Sequence, residues 1–501
     1  MNNRSNLLIR FSEFIASVLG LHFPESRLGD LERGVVSAAR EFDFPDTEAF
    51  IRWIMSAHLT KRHIETLASH LTIGETYFFR EMESFQALEE RILPGLLSSR
   101  EGSGRRLRVW SAGCSTGEEP YSLAILLNRL LPDRDRWNIT ILATDINPRF
   151  LGKAKEGLYT EWSFRGTPQW IKEGYFKRSP DGRYELDEHI RKMVAFEYLN
   201  LAEDNYPCLL NNTNAMDLIF CRNVLMYFSQ ERARKVIQGL HKSLVDGGYL
   251  FISATEALKS ISSGQFVTIN MPGATYYIKD TEKPQKTEEH GGLPPDIPPL
   301  AVVPEAGVAP FYNMPDAGPA AFDAPSSQEA GRPDTQEPAA DREYEDLIAV
   351  FEQGGYDEAI RRLERMVVEG RGAPKITSLL ARAYANQGRL EQAQKWCEKA
   401  IAEDLLNPYF HYLLSTILQE QGQVEQAASS LKRALYINHD FVLAYFSLGN
   451  LMLREGNSDA SMKYLRNALE LLTSYDPEQA LPYAEGMTAG RLSEIIASMS
   501  R

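Results

Sequence analysis

Two neighbouring hydrophobic segments each end in residues that suit a nucleotide-like ligand. Segment 107–112 runs into a turn that contains Gly113 and Gly117, and a helix is predicted directly after it at 118–131. A turn of small residues lets a ligand approach the backbone, and the first N–H groups of a helix are free to bind it. Asp145 ends the next hydrophobic segment, where an acid can accept hydrogen bonds from two ribose hydroxyls. The pattern predicts a nucleoside-type cofactor site, and a tight connection without a ligand is the alternative interpretation of the turn.

These residues need a sheet to position them, and strands alternate with helices from about 71 to 280. The predicted strands are 107–112, 139–144, 193–199, 217–221, 248–253 and 274–279, and helices follow the first two at 118–131 and 147–156. Such alternation is typical of a doubly wound α/β fold, whose mostly parallel sheet is covered on both faces. Amphipathic segments from about 5 to 70 predict an N-terminal helical subdomain. Asp181-Gly182 predicts a hairpin turn.

The C-terminal part repeats with a period of 34 residues. Gly354, Gly388, Gly422 and Gly456 share this spacing, with small residues recurring after them. The pattern resembles the tetratricopeptide repeat, two antiparallel helices with a glycine at their turn. We expect four units that form a concave groove for a protein partner, and a terminal helix at 477–499 that covers the last unit.

Between these parts, residues 281–341 contain 12 of the 26 prolines. Such a segment buries too little apolar area to offset the entropy of ordering, so we predict a flexible linker. Residues 1–280 should therefore fold without the repeats. The predicted domains are a helical subdomain at 1–75, an α/β domain at 76–280 with the hairpin region at about 165–197, the linker at 281–341, the repeats at 342–475 and a capping helix at 476–501.

Charge and composition exclude several classes of function. Residues 1–280 hold 34 basic and 35 acidic side chains, and the acidic excess lies beyond them, so nothing resembles a nucleic-acid surface. The chain contains no run of about 18 apolar residues, so no membrane span is predicted. The N-terminal residues lack the apolar core of a signal peptide, and the four cysteines have neither metal nor disulfide spacing. We expect a cytoplasmic protein without a metal.

Five motifs carry a resemblance to a known family. They are Thr-Tyr-Phe-Phe-Arg-Glu at 76–81, Trp-Ser-Ala-Gly-Cys-Ser-Thr-Gly-Glu-Glu-Pro-Tyr-Ser at 110–122, Ala-Thr-Asp-Ile-Asn at 143–147, Leu-Asn-Leu at 199–201 and Phe-Cys-Arg-Asn-Val-Leu-Met-Tyr-Phe at 220–228. Their order resembles the CheR family, S-adenosylmethionine-dependent methyltransferases that form methyl esters on glutamates of bacterial chemoreceptors. The resemblance covers about 5–280, and the repeats resemble a subgroup that carries them.

The resemblance implies the cofactor S-adenosyl-L-methionine, with S-adenosyl-L-homocysteine as product, and a role for each matched residue. The methionine part would be bound by Thr76, Arg80, Arg222 and Asn223, and its amino end by Glu118, with Glu119 as a weaker candidate. Asp145 would bind the ribose, and Asn200 and Leu201 would flank the adenine. Gly113 would lie in the turn. Arg80 would also orient the incoming glutamate, and Tyr227 would border the methyl group. The implied partner is the cytoplasmic helical domain of chemoreceptors. The hairpin resembles the family's small β subdomain but is shorter, so we expect recognition without a receptor pentapeptide.

Several of these residues have alternative interpretations from local structure. Thr76 could cap a helix that starts near Tyr77, Asp145 could belong to a turn, Arg80 could form a surface ion pair, and Asn200 could be a turn residue. Gly74 departs from the best-known members, which carry an asparagine there.

A target glutamate is already a carboxylate at pH 7, so the transfer needs positioning more than proton transfer. There are two alternative functions. One is a signalling scaffold that binds the cofactor without turnover, and the other is a methyltransferase with another substrate.

Overall fold

The computed structural model describes most of the chain. The described residues are 3–101, 105–131, 133, 136–203, 205–208, 211–253, 256, 265–271, 273–279, 339–352, 354–484 and 487–499. The predicted linker lies outside them up to position 338. Within these ranges no helix has both the length and the apolar character needed to cross a membrane.

Four helices form the N-terminal part, as the amphipathic segments predict. They are α1 (Asn3–Val18), α2 (Leu28–Glu41), α3 (Thr47–Ser56) and α4 (Lys61–Leu71). Asp46 begins α3 by accepting hydrogen bonds from the backbone N–H groups of Glu48 and Ala49. The apolar faces of the four helices meet in one core, which also contacts Tyr227. This core therefore supports one wall of the site described below.

A seven-stranded sheet lies at the centre, and the prediction of a doubly wound α/β fold is confirmed. The described part of the chain forms ten strands: β1 (Arg106–Ala112), β2 (Asn138–Asp145), β3 (Leu158–Tyr159), β4 (Phe176–Arg178), β5 (Tyr184–Leu186), β6 (Val194–Tyr198), β7 (Met216–Phe220), β8 (Leu244–Phe251), β9 (Phe266–Met271) and β10 (Ala274–Lys279). The order is β6-β2-β1-β7-β8-β10-β9, parallel from β6 to β8, with β10 antiparallel to β8 and β9. The six predicted strands agree with the observed ones to within four residues at each end, but β9 of this sheet and the short β3 were not predicted.

Helices cover the sheet and connect its strands. They are α5 (Met82–Ala87), α6 (Leu93–Glu101), α7 (Glu118–Leu130), α8 (Pro148–Glu156), α9 (Gln169–Tyr175), α10 (Glu188–Arg191) and α11 (Gln230–Ser243), with a π-helical turn at Leu88–Ile92 between α5 and α6. The sheet β3-β5-β4 is separate and small. The predicted Asp181-Gly182 turn joins β4 to β5, with Gly182 at φ +85°.

The tetratricopeptide repeats are confirmed as four helix pairs. Their helices are α12 (Ala339–Glu352), α13 (Tyr356–Val368), α14 (Pro374–Asn386), α15 (Leu390–Glu403), α16 (Pro408–Glu420), α17 (Val424–Ile437), α18 (Val442–Arg454) and α19 (Ser458–Leu472). The four equally spaced glycines lie in the turns within the pairs at φ +72° to +82°, where a side chain would be strained.

The last helix, α20 (Ala489–Met499), is shorter than the predicted 477–499. Pro477 and Pro482 precede it, and proline provides no backbone N–H for a helix. Leu492 and Ile496 of α20 pack into the same core as α19, so the helix does cover the last unit. The domain boundaries themselves stay predictions.

The repeats contact the amino ends of β1 and β2, which the sequence analysis does not predict. Glu420, the last residue of α16, forms ion pairs with Arg106 and Arg108 of β1. Its backbone oxygen accepts a hydrogen bond from Asn138 Nδ2 at 2.9 Å. These contacts lie at the amino ends of the strands, and the site described next lies at their carboxyl ends.

Candidate functional site

A cavity of about 310 Å³ lies at the carboxyl ends of the parallel strands, beside β1 and β7, between which the strand order reverses. In open α/β sheets this is where ligands bind. The cavity is lined by nine of the ten predicted site residues, namely Thr76, Arg80, Gly113, Asp145, Asn200, Leu201, Arg222, Asn223 and Tyr227. Glu118 is the exception.

The turn after β1 holds its shape through backbone hydrogen bonds and glycine conformations. The N–H groups of Gly113 and Cys114 both donate to the Thr144 oxygen, at 2.8 and 2.9 Å. Gly113 has φ +82°, and a Cβ there would lie 2.3 Å from Cγ2 of Val224. Glycine is therefore required for two reasons, backbone conformation and close packing against the loop after β7.

Asp145 ends β2 on the cavity wall and is almost fully buried. Its carboxylate accepts hydrogen bonds from the backbone N–H groups of Ser115 and Asn147, both at 2.8 Å. Burial raises the pKa of Asp145 to about 6, and these N–H groups oppose the rise. The turn that is the alternative interpretation of Asp145 is also present, because Asn147 caps α8 and Pro148 is the first residue of that helix. Turn chemistry and an acceptor for a ligand therefore coexist here.

Glu118 and Glu119 point in different directions from the start of α7. The Glu118 carboxylate accepts hydrogen bonds from the hydroxyls of Thr116 and Ser163, at 2.7 and 3.0 Å, away from the cavity. Glu119 lines the cavity and accepts a hydrogen bond from Ser111 Oγ at 2.7 Å. Burial raises the pKa of both carboxyl groups. The geometry thus favours Glu119, the residue that the sequence ranked second.

Arg222 is buried in the cavity wall, with its side chain 2% exposed. Its Nη2 donates to the backbone oxygen of Arg80 and lies 3.2 Å from Glu81 Oε2, and its Nη1 lies 3.6 Å from Glu119 Oε2. Among the residues that the structure describes, Nε and Nη1 have no hydrogen-bond partner. Arg80 donates from Nη1 to the Glu75 backbone oxygen at 2.7 Å, so this contact is not the surface ion pair that was its alternative. The Arg222 guanidinium can therefore still accept an anionic ligand group.

Asn200 and Leu201 follow β6 and line the cavity next to Asp145. Asn200 Oδ1 accepts a hydrogen bond from the Ala202 N–H at 3.0 Å, which is the turn that the local interpretation predicts. The Leu199 N–H donates to the Asp145 oxygen at 3.2 Å and holds the two strand ends together.

Part of the wall comes from the N-terminal helical part, which the sequence analysis missed. Leu19 and Leu21 line the cavity, and the His22 N–H donates to the Tyr227 oxygen at 2.8 Å. Leu21 also pairs with Phe228 as an isolated β-bridge. The two segments are about 200 residues apart, so no local pattern could have indicated this contact.

Phe150 is another lining residue that was missed, although its position on the first turn of α8, after the Asn-Pro start signal, could have indicated it. A Cβ at Gly74 would lie 2.5 Å from Cζ of Phe150, so Phe150 packs into the space that a side chain at 74 would need. Thr76 does not cap a helix at Tyr77, because the next helix is α5.

Comparison with known proteins gives two kinds of match. The family model of the CheR methyltransferase SAM-binding domain matches residues 74–274, and tetratricopeptide models match 350–417 and 412–477. Chemotaxis protein methyltransferase 2 of Vibrio cholerae is 30% identical over 51% of this chain and 86% of its own length. Chemotaxis protein methyltransferase 1 of Pseudomonas aeruginosa is 36% identical over 43% and 77%, and the Borreliella burgdorferi enzyme is 31% identical over 55% and 95%.

S-adenosyl-L-methionine is the cofactor of this domain type, and the residues of the cavity fit it. Of the described residues, three carboxylates and two guanidinium groups line the cavity: Glu75, Glu119, Asp145, Arg80 and Arg222. When ionised they leave one negative charge, which complements a ligand with a sulfonium, an ammonium and a carboxylate. The unpartnered N–H groups of Arg222 and the buried Asp145 carboxylate match a carboxylate and ribose hydroxyls. The volume lies at the lower end of the roughly 300–1,000 Å³ typical of ligand sites.

Proposed function

The chain belongs to the CheR family of chemotaxis protein methyltransferases, and on that premise we propose that it methylates glutamate side chains of chemoreceptors. The observation that carries the proposal is the position of Arg80 on the wall of the cavity that nine predicted site residues line. A guanidinium there can bind a carboxylate substrate beside the cofactor. An exposed Arg80 far from the cavity would have favoured the scaffold alternative.

Cofactor binding is assigned to residues on three sides of the cavity. Asp145 accepts hydrogen bonds from the ribose hydroxyls, and Asn200 and Leu201 flank the adenine. Arg222 binds the carboxylate of the methionine part through its unpartnered N–H groups. Glu119 replaces Glu118 as the acceptor for the ammonium group, because only Glu119 lines the cavity.

The remaining site residues support this assignment. We propose that Thr76, Arg80 and Asn223 border the methionine part and that Gly113 lets it approach the backbone.

Arg80 and Tyr227 act on the substrate side. The bound cofactor supplies a methyl group on a sulfonium, which is a good leaving group. Arg80 orients the glutamate carboxylate through charge-assisted hydrogen bonds, and Tyr227 shapes the path between the two. A carboxylate with a reference pKa of about 4.3 needs no general base at pH 7. Positioning and exclusion of water therefore supply most of the catalysis.

We propose the helical cytoplasmic domain of chemoreceptors as the partner of the site and the cytoplasm as its location. The repeats bind a further protein, which brings the enzyme to its signalling complex and raises its local concentration. The names of the relatives support the first part of this proposal, and the repeat family supports the second.

Incubation with tritiated S-adenosyl-L-methionine and purified receptor cytoplasmic domains tests the proposal. We expect label on a receptor that base releases as methanol, because methyl esters hydrolyse in base. Arg80→Ala should bind S-adenosyl-L-homocysteine but transfer much less label. Base-stable label, or no label on any receptor from an enzyme that binds the cofactor, would contradict the proposal.

A further inference from the structure

The loop after β7 carries three of the predicted site residues, Arg222, Asn223 and Tyr227, in an unusual backbone conformation. Asn223 has φ +59° in the left-handed region, and Leu225–Tyr227 form a single 3₁₀ turn. Left-handed residues other than glycine cost free energy and persist only where their surroundings hold them.

Glu256 meets the loop from the segment after β8. It is 4% exposed, and its carboxylate accepts two backbone hydrogen bonds, from Asn223 N to Oε2 at 2.5 Å and from Met226 N to Oε1 at 3.0 Å. The two oxygens of one side chain thus bridge the ends of the turn. An ionised carboxylate is well suited to this, because both of its oxygens accept hydrogen bonds.

Ser253 provides a second contact with the same loop. Its hydroxyl accepts a hydrogen bond from Asn223 Nδ2 at 3.2 Å and donates to Glu81 Oε1 at 3.0 Å. Glu81 in turn pairs with Arg222 at 3.2 Å. Glu256 therefore fixes the backbone of the loop, while Ser253 and Glu81 fix the side chains of the two residues that face the cavity.

We propose that Glu256 is a positioning residue for cofactor binding, which it supports by holding the loop that presents Arg222, Asn223 and Tyr227. This inference rests on the proposed function. Glu256 does not line the cavity, so it acts through the loop and not by contact with the cofactor. The Ser253–Glu81 contact assists it.

The test uses the full chain with Glu256→Gln and isothermal titration of S-adenosyl-L-homocysteine. Glutamine has the same shape, but its NH₂ group would face one of the two N–H donors, so only one hydrogen bond remains. We expect at least a tenfold loss of affinity. Asp217→Asn is the matched control, because Asp217 is a buried acid that accepts the Arg108 N–H at 2.8 Å at the opposite end of the sheet. It should lose stability to urea but keep its affinity within about twofold.

A folded Glu256→Gln variant that binds within twofold of the wild type would overturn the inference. If that variant does not fold, Ser253→Ala decides, because it removes the hydrogen bonds of the hydroxyl with Asn223 and with the Glu81 carboxylate but keeps every charged side chain of the network. A threefold or larger loss of affinity supports the network, and unchanged affinity contradicts it. These titrations contain no receptor, so an enzyme that binds the cofactor but methylates no receptor refutes the proposed function alone.

Discussion

Replacement of Glu420 by alanine should leave two guanidinium groups buried without their carboxylate. The side chains of Arg108, Arg106 and Glu420 are 2%, 11% and 12% exposed. Burial lowers the pKa of Arg108 to about 10 although it is paired, so the cost of removing this charge from water exceeds what its partners return. Without Glu420 the imbalance grows, because among the described residues only the Asn212 oxygens still accept hydrogen bonds from the end of the Arg108 side chain.

Removal of one partner of a buried ion pair typically costs about 3–5 kcal/mol. The partial exposure of Glu420 admits some water, so we expect about 2–4 kcal/mol for Glu420→Ala in the contact between repeats and sheet. At about 2–4 °C per kcal/mol for a unit of this size, the unfolding transition should shift by roughly 5–15 °C.

Differential scanning calorimetry of the full chain measures this shift. The control is Glu425→Ala, an exposed acid on α17 of the same unit, which should change the transition by less than about 0.5 kcal/mol. If the unfolding temperature of Glu420→Ala equals that of Glu425→Ala, the ion pairs of Glu420 contribute nothing to stability and the reasoning is refuted.

The stabilisation that Glu420 contributes should also depend on pH. Burial raises the pKa of Glu420, but the two guanidinium groups outweigh it and leave the pKa below the ordinary 4.5. A carboxyl with a lowered pKa in the folded state stabilises the protein above its unfolded pKa. This contribution is lost as the pH falls through the folded pKa. The difference between wild type and Glu420→Ala should therefore be full at pH 7 and shrink below about 4.5.

Three further predictions concern the site. Asp145→Ala should weaken S-adenosyl-L-homocysteine binding by roughly 1–3 kcal/mol in calorimetry, and the wild-type affinity should fall as the pH drops below about 6, because a protonated carboxyl loses an acceptor. Affinity independent of pH between 7.5 and 5 would contradict the ribose assignment. Arg80→Ala should reduce methyl transfer by about 10- to 150-fold with little change in urea stability, as expected for the loss of one charged hydrogen bond. Gly74→Ala should lower cofactor affinity because the new Cβ collides with Phe150, and Phe150→Leu in the same chain should restore part of it; no recovery would refute this contact.

Residues whose roles follow from local pattern were predicted well. β10 agrees with the predicted 274–279, and the four repeat glycines lie in the expected turns, because a 34-residue period and a positive φ both leave local signals. β9 was missed because only Phe266 of its six residues is buried, so it has no alternating apolar face.

The choice between Glu118 and Glu119 depended on packing that the motif does not contain. Both occupy the first turn of α7, and Glu118 is held away from the cavity by the hydroxyls of Thr116 and of Ser163, the second of which lies 45 residues away in the chain. Two other features were missed for the same reason, because they also depend on long-range packing. They are the contact of Glu420 with Arg106 and Arg108, and the cavity wall formed by Leu19 and Leu21. Long-range partners are specified by the fold as a whole, and a single sequence does not reveal them.

The distance along the chain between Arg108 and Glu420 also determines the order in which the protein can assemble during synthesis. Glu420 follows Arg108 by 312 residues, which a ribosome adds in roughly 15–60 s at about 5–20 residues per second. Within that interval β1 can pair once β2 and β7 have emerged, and the cavity can close once Glu256 has emerged, while both arginines still face water. The repeats therefore dock onto a catalytic part whose cofactor cavity can already be complete, and the burial of the arginines is a late step in biogenesis.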